Sequence, residues 1–248
     1  MNKMVQLSWI KPDQAGASAD DWTFNGASTR ELTHCYHDYP ARMIPQVAGK
    51  LLDLFGKNAK LLFDPYCGSG TSLVEAAIRG INAVGTDLNP LARLIAQAKT
   101  ATPNVEVLHR AIENFHRFTL NRKNKWIHEA QTIQGIPNLE FWFKPEVIEK
   151  LFQIKAFIHQ IEDQDTALFF KAAFSETVRE SSNTRNNEFK LYRYDEKKLA
   201  RHSPDVERIM LEKLQRNLHG YLKYKAIIDN FKKAPSTKVY GFNSVDEI

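Results

Sequence analysis

Residues 61–87 read as an apolar strand, a glycine-bearing loop, a helix and a second strand, with an acid closing each strand, and few folds accept that order. Leu61-Leu62-Phe63-Asp64 is a short apolar run ending in a carboxylate, and Pro65-Tyr66-Cys67-Gly68-Ser69-Gly70 has the residue types of a loop. Residues 71–79 place Leu73, Ala76 and Ala77 on one helical face, and Gly80 stops that helix. Asn82-Ala83-Val84-Gly85-Thr86-Asp87 is a second short strand ending in an acid. A second helix then runs from about residue 90 to 99, with Pro90 in its first turn. This succession opens a doubly wound parallel sheet and predicts an α/β fold.

Downstream the pattern changes. Candidate helices lie near 109–129, 145–160, 165–179 and 204–232, the last with Ser203 as cap and Pro204 at its first position. Between them residues 179–201 are polar, basic and aromatic without a clear period, which predicts a loop or irregular element. Lys238-Val239-Tyr240-Gly241-Phe242 has the look of a third strand. The expected organisation is a first half of a sheet domain over 1–108, a mainly helical basic insertion over 109–235, and a return strand over 236–248.

With 248 residues, 43% of them hydrophobic and 25% charged, the chain can bury one large core or two small ones. No stretch approaches the roughly 18 uncharged apolar residues of a membrane span, and the first residues lack the apolar run and cleavage site of a signal peptide. The cytoplasm is the expected compartment. Cys35 and Cys67 are too few for a disulfide scaffold, and the eight histidines show no metal-ligand spacing, so no metal is expected. The net charge is +5, and all of the positive excess falls at residues 110–238, with 24 Lys/Arg against 17 Asp/Glu. Such a segment faces a polyanion, or is simply a solvated helical surface.

The loop narrows the ligand. Gly68 and Gly70 let backbone approach a small molecule, and the helix opening at Thr71 offers unpaired N–H groups. A dinucleotide site would need a third glycine where Leu73 stands, and a P-loop would need Gly-Lys-Ser/Thr, which is absent. Asp64 would repel phosphate yet accept hydrogen bonds from an ammonium group. Asp87, closing the second strand, can accept both hydroxyls of a ribose. S-adenosylmethionine has a ribose, an ammonium group and no phosphate.

The strings FDPYCGSGT and GTDLNPLA resemble the first two cofactor-binding motifs of the S-adenosylmethionine-dependent DNA amino-methyltransferases, the enzymes that act on adenine N6 or cytosine N4. Upstream, His37-Asp38-Tyr39-Pro40-Ala41-Arg42-Met43-Ile44-Pro45-Gln46 resembles the segment that precedes the glycine loop in the same enzymes. The three motifs span about residues 34–100. The resemblance implies a Rossmann-like class I methyltransferase fold, here an incomplete parallel sheet with a large mainly helical insertion. It implies that Asp64, Gly68 and Gly70 shape the methionine pocket, with Pro65 and Cys67 in the same turn and Thr71 opening the helix. Asp87 would take the ribose, Leu88 or Asn89 the adenine, and Tyr39, Pro40 and Ala41 would close the methionine end. Cys67 reads as a small residue in a tight turn rather than a nucleophile, since the sequence has no Pro-Cys dipeptide.

These enzymes transfer the methyl group at an (Asp/Asn/Ser)-Pro-Pro-(Tyr/Phe) tetrapeptide after the fourth strand, which holds the flipped base. No Pro-Pro pair occurs here, so no catalytic residue is assigned. The expectation is therefore an N-terminal portion, completed by a second polypeptide or shortened from a longer gene, because strand 61–64 would otherwise be an unpaired apolar edge. In the basic stretch, Arg179, Arg185, Lys190, Tyr192, Arg193 and Lys197 are candidates for DNA contact, with Asn183, Asn186, Asn187 or the arginines reading base edges. The function expected is methylation of an exocyclic amine of DNA, within a restriction-modification system. The alternatives are a guanine-amine methyltransferase of RNA and a non-catalytic DNA-binding fragment or subunit.

Overall fold

The computed structural model describes residues 22–120, 136–185 and 190–243. Strands β1 (Leu61–Asp64), β2 (Asn82–Thr86) and β3 (Thr237–Tyr240) form a parallel sheet in the order β1-β2-β3. The register pairs Leu62 with Ala83 and Ala83 with Thr237. Parallel neighbours need a crossover. Helix α2 (Thr71–Ala77) supplies the first, and the whole helical region lies between β2 and β3. The result is the Rossmann-like arrangement, with β1 at one edge of the described sheet.

The remaining elements are a 3-10 helix (Leu32–Tyr36), α1 (Pro45–Phe55), α3 (Pro90–Thr100), α4 (Val105–Leu120), α5 (Leu139–Trp142), α6 (Pro145–His159), α7 (Gln164–Ser181), α8 (Glu196–Arg201) and α9 (Val206–Ile228). Helix α3 begins where predicted because Asn89 accepts a hydrogen bond from Leu91 N at 2.9 Å and Pro90 presets the first turn. Its apolar face, Ala92, Ile95 and Ala96, is fully buried.

Three strands of four or five residues offer little area, so the core is built mostly of helices. Val74, Ala77 and Ile78 from the α2 region, Ala98 from α3 and Leu32, Cys35 and Tyr36 share one cluster with Leu108, Phe115, Ile154, Phe169, Phe170, Met210 and Tyr221. Phe115 meets Phe157 and Phe170 edge-on at centroid distances of 5.1 and 6.0 Å. Each such buried ring is worth about 1.5–3 kcal/mol of transfer free energy. The core thus runs unbroken across the boundary at residues 108 and 109. A smaller cluster, including Cys67, Leu73, Ile81 and Ala83, lies under the sheet.

Three local expectations need correction. Helix α4 starts at Val105, four residues early, because Asn104 accepts from Glu106 N and Val107 N; the expected continuation over 121–129 lies outside the described residues. Helix α9 is capped by Asp205, whose carboxylate accepts from Arg208 N at 3.1 Å, not by Ser203, which leaves Pro204 outside the helix. The irregular stretch contains helix α8, capped by Asp195, and an antiparallel bridge between Thr184 and Arg193. No apolar period announces α8, because none of its residues is buried.

Gly220 is where α9 meets the 3-10 helix. A Cβ there would stand 2.3 Å from Leu32 O and 2.6 Å from Cys35 Sγ. Gly→Ala in an exposed helix gains about 1 kcal/mol, but Gly220→Ala is expected to destabilise the protein by about 2–3 kcal/mol through overpacking against backbone. Denaturant titration reads the sign directly, and a stabilised variant would show that α9 does not lie against Leu32.

Candidate functional site

The two strand-end carboxylates organise the loops at the C-terminal edge of the sheet. Asp64 accepts from Tyr66 N at 3.0 Å and from the Ser72 hydroxyl, which ties the end of β1 to the first turn of α2. Asp87 accepts from Gly68 N at 3.0 Å with one oxygen and from Asn89 N at 2.8 Å with the other. It therefore clasps the glycine loop to the turn after β2. Each carboxylate oxygen keeps a lone pair for another donor. Arg93 donates to the carbonyls of Asp87 and Leu88, both at 2.8 Å, and fixes that turn from below.

Gly68 and Gly70 both lie in the left-handed region, with φ of +51° and +77°. A Cβ on Gly68 would meet nothing within 4 Å, so its bare backbone borders open space, whereas one on Gly70 would strike Ala96 Cβ at 2.8 Å. One glycine leaves room for a ligand and the other seats the loop on α3. Thr71 Oγ1 is buried with no hydrogen-bond partner. Cys67 is buried, and burial reinforced by Asp64 and Asp87 pushes its thiol up to about 12, so it stays protonated and is no nucleophile. Pro65 accepts from the Thr86 hydroxyl at 2.8 Å.

The 37–42 segment folds over the same edge. Tyr39 OH accepts from Asn89 Nδ2 at 3.0 Å. Pro40 and Ala41 are exposed, and Ala41 has φ of +53°, a conformation that costs an alanine about 1 kcal/mol or more and turns the chain sharply after Tyr39. Arg42 donates to the carbonyls of His34 and Thr29 at 2.8 and 3.3 Å. Leu88 is 63% exposed beside this mouth. Tyr39, Asp64, Gly68, Asp87 and Asn89 are thus joined by hydrogen bonds or loop continuity along one edge, with Pro65, Cys67, Gly70, Thr71 and Leu88 in the same loops and Pro40 and Ala41 in the adjoining turn. This set of acceptors suits a ligand with hydroxyls and a cation. It does not suit a phosphate, which would face two carboxylates.

A buried polar layer beneath the mouth escaped the sequence reading. Glu176 on α7 accepts from Asp38 N at 2.9 Å and from Arg216 on α9 at 2.6 Å, and Arg216 also donates to Tyr36 O at 3.0 Å. His37 Nε2 lies 3.1 Å from Ser175 Oγ. His34 Nε2 lies 2.9 Å from Glu75, which also receives Arg79 at 2.6 Å. Burial lowers the His34 and His37 imidazoles below their ordinary range, against the pull of nearby acids. Lys99, on the buried face of α3, reaches Ser69 Oγ at 3.4 Å. A lysine in register with Ala92 and Ala96 was the one available signal.

The candidate nucleic-acid residues separate into two groups. Arg185, Lys190, Tyr192 and Lys197 are exposed, and Arg179 is half-buried. Arg193 instead donates to Phe141 O at 3.0 Å and stacks 4.6 Å over the Phe141 ring. Asn183 is buried and bonded to Trp142 O, Phe141 O and Tyr194 N. Asn183 therefore fastens the bridge to α5, and its burial corrects the expectation of an exposed side chain facing a base edge. Asn186 and Asn187 lie outside the described residues.

Residues 30–134 match UPF0020, the RMKL-like methyltransferase domain. The chain is 42% identical over 214 residues to the type II methyltransferase M.MvaI of Kocuria varians, covering 84% of this chain and 47% of that protein. It is 33% identical over 97 residues to the type II methyltransferase M.MjaII of Methanocaldococcus jannaschii, covering 37% of this chain and 18% of the relative. A tRNA (guanine(10)-N2)-dimethyltransferase of Methanothermobacter thermautotrophicus is 38% identical over 52 residues, 21% of this chain and 16% of that enzyme. The chain spans less than half the length of each of these relatives. No solved structure matches it. Among the described residues no helix is long and apolar enough to cross a membrane.

Proposed function

We propose that this chain, which carries a methyltransferase domain and resembles the DNA amino-methyltransferases, is the S-adenosylmethionine-binding part of an enzyme that methylates an exocyclic amine of DNA. The observation that carries the proposal is the clasp of Asp87 on Gly68 N beside Asp64, with Gly68 bordering open space. When bound, the cofactor supplies an electrophilic methyl group on a sulfonium. Asp87 would orient the ribose, Leu88 and Asn89 would border the adenine, and Asp64 with the Gly68–Thr71 loop would hold the amino-acid end. Tyr39, Pro40 and Ala41 would cover that end from above. The target is adenine N6 or cytosine N4, and the type II class of the relatives supports a restriction-modification role in the cytoplasm.

Strand β1 supports a further part of the proposal. Leu61 and Phe63 are 59% and 53% exposed, and Leu54 and Phe55 at the end of α1 are exposed as well. An apolar edge of this kind is a pairing site. The strands that bear the methyl-transfer tetrapeptide would add there, from a second polypeptide or from sequence beyond these residues. Tritiated methyl transfer tests the assignment. The chain alone is expected to label neither DNA nor tRNA, and the chain joined to its complement is expected to label DNA. Label in tRNA alone would favour the RNA reading, but similarity over 214 residues must include most of the helical region, and the tRNA enzyme shares only 52.

Contact with DNA would run through the exposed basic side chains around the Thr184–Arg193 bridge. Replacing Arg185, Lys190 and Lys197 together by alanine is expected to weaken DNA binding and to reduce the slope of log K against log salt by about 0.9 for each phosphate that is no longer neutralised. An unchanged slope in a filter-binding salt series would remove this surface from the interface. Arg193 is left intact because its bond to Phe141 holds the bridge.

A further inference from the structure

Lys99 has no exposed surface, and among the described residues the only hydrogen bond of its Nζ is to Ser69 Oγ at 3.4 Å. Ser69 stands between Gly68 and Gly70, and two residues along the same loop Thr71 Oγ1 is buried without a partner. Charged and titratable groups surround the ammonium, yet none neutralises it. Asp38 is paired with Arg30, Glu75 with Arg79 and His34, and Glu176 with Arg216. Arg42 opposes it, His37 is bonded to Ser175 and the Asp38 carbonyl, and burial raises the Cys35 thiol, which stays neutral. A buried cation without a counter-charge is costly unless it loses its proton or gains an anion.

We propose that Lys99 and Ser69 form the recognition point for the carboxylate at the amino-acid end of the cofactor, with Lys99 as a positioning residue acting through Ser69. The ammonium donates to Ser69 Oγ, which turns the Ser69 O–H outward to donate to the carboxylate, and the carboxylate supplies the missing negative charge. This rests on the cofactor reading above: it names Ser69 as the contact within the Gly68–Thr71 loop and adds Lys99, to which that reading gives no role.

A pH dependence follows. Burial, aided by Arg42, lowers Lys99 from 10.5 to about 7 in the free chain. An arriving carboxylate favours the ammonium and raises that value, so binding takes up a proton above pH 7 and takes up none where Lys99 is already charged. Affinity is therefore highest below pH 7 and falls as pH rises. His34 and His37, lowered by burial, are neutral on the alkaline side and release no proton there.

The test is calorimetric titration of the chain with S-adenosylhomocysteine and with S-adenosyl-3-thiopropylamine, the same thioether amine without its carboxylate. Both are run at pH 6 and pH 8 in buffers of different ionisation enthalpy. S-adenosylhomocysteine is expected to bind about tenfold tighter than the amine at pH 6 and to take up a proton at pH 8, whereas the amine takes up none. Lys99→Met keeps the side-chain volume, removes the uptake and brings the two ligands to equal affinity. Equal affinity in the wild-type chain, or S-adenosylhomocysteine binding at pH 8 without proton uptake, overturns the inference and leaves the cofactor reading standing. Absence of binding by either thioether overturns both.

Discussion

Asp87→Ala is expected to lower the affinity for S-adenosylhomocysteine by at least 30-fold, the largest binding effect of any single change in the site. Two losses add. A ribose would lose a charged acceptor, worth about 1.5–3 kcal/mol, and Gly68 N and Asn89 N would lose the carboxylate that clasps their loops together. Asp87→Asn keeps one acceptor oxygen and should retain part of the affinity. Calorimetric titration of the three proteins checks the order. Equal affinity in wild type and Asp87→Ala would move the ligand away from the end of β2, and the cofactor assignment with it.

Glu176→Ala carries the largest expected effect on stability. The carboxylate is 9% exposed and satisfies both Arg216 and Asp38 N, with Lys213 Nζ at 3.8 Å. Its removal strands the half-buried Arg216 guanidinium, a loss of about 3–5 kcal/mol. At about 2–4 °C per kcal/mol for a chain of this size, the melting temperature should fall by roughly 10 °C. Because Glu176 also fixes the backbone entering Tyr39, the variant should bind S-adenosylhomocysteine more weakly even well below its melting temperature. A melting temperature within 2 °C of wild type would show that the pair contributes no net stability. In that case the helical region does not brace the mouth.

Much of the sheet and of the loops at its C-terminal edge was legible because it is written in contiguous residues. The apolar run ending at Asp64, the glycines at 68 and 70 and the acid at 87 each act on neighbours within a few positions, through turn sterics and strand-end geometry. The Asn89-Pro90 start of α3 is equally local. Helix α8 was missed for the converse reason, since a helix that buries nothing shows no apolar period and only Asp195 marked it. Asn183, one of several alternatives for reading a base edge, is buried instead, and a single polar residue carries no sign of its burial, which depends on α5 some forty positions away.

What the sequence by itself determined is the parallel order of strand, loop and helix and the chemistry of the loop: room at glycine, acids in place of cations, and a thiol in a tight turn. Only the tertiary structure decided that the helical region braces the segment over the C-terminal edge of the sheet rather than standing apart. Glu176 and Arg216 approach Tyr36–Asp38 from more than 130 positions away, and Lys99 meets Ser69 only because α3 packs beneath the loop. Backbone preference and turn chemistry act over a few residues and leave their record in the sequence. The pairing of buried charges depends on which helices lie side by side, and the packing of the shared aromatic core sets that.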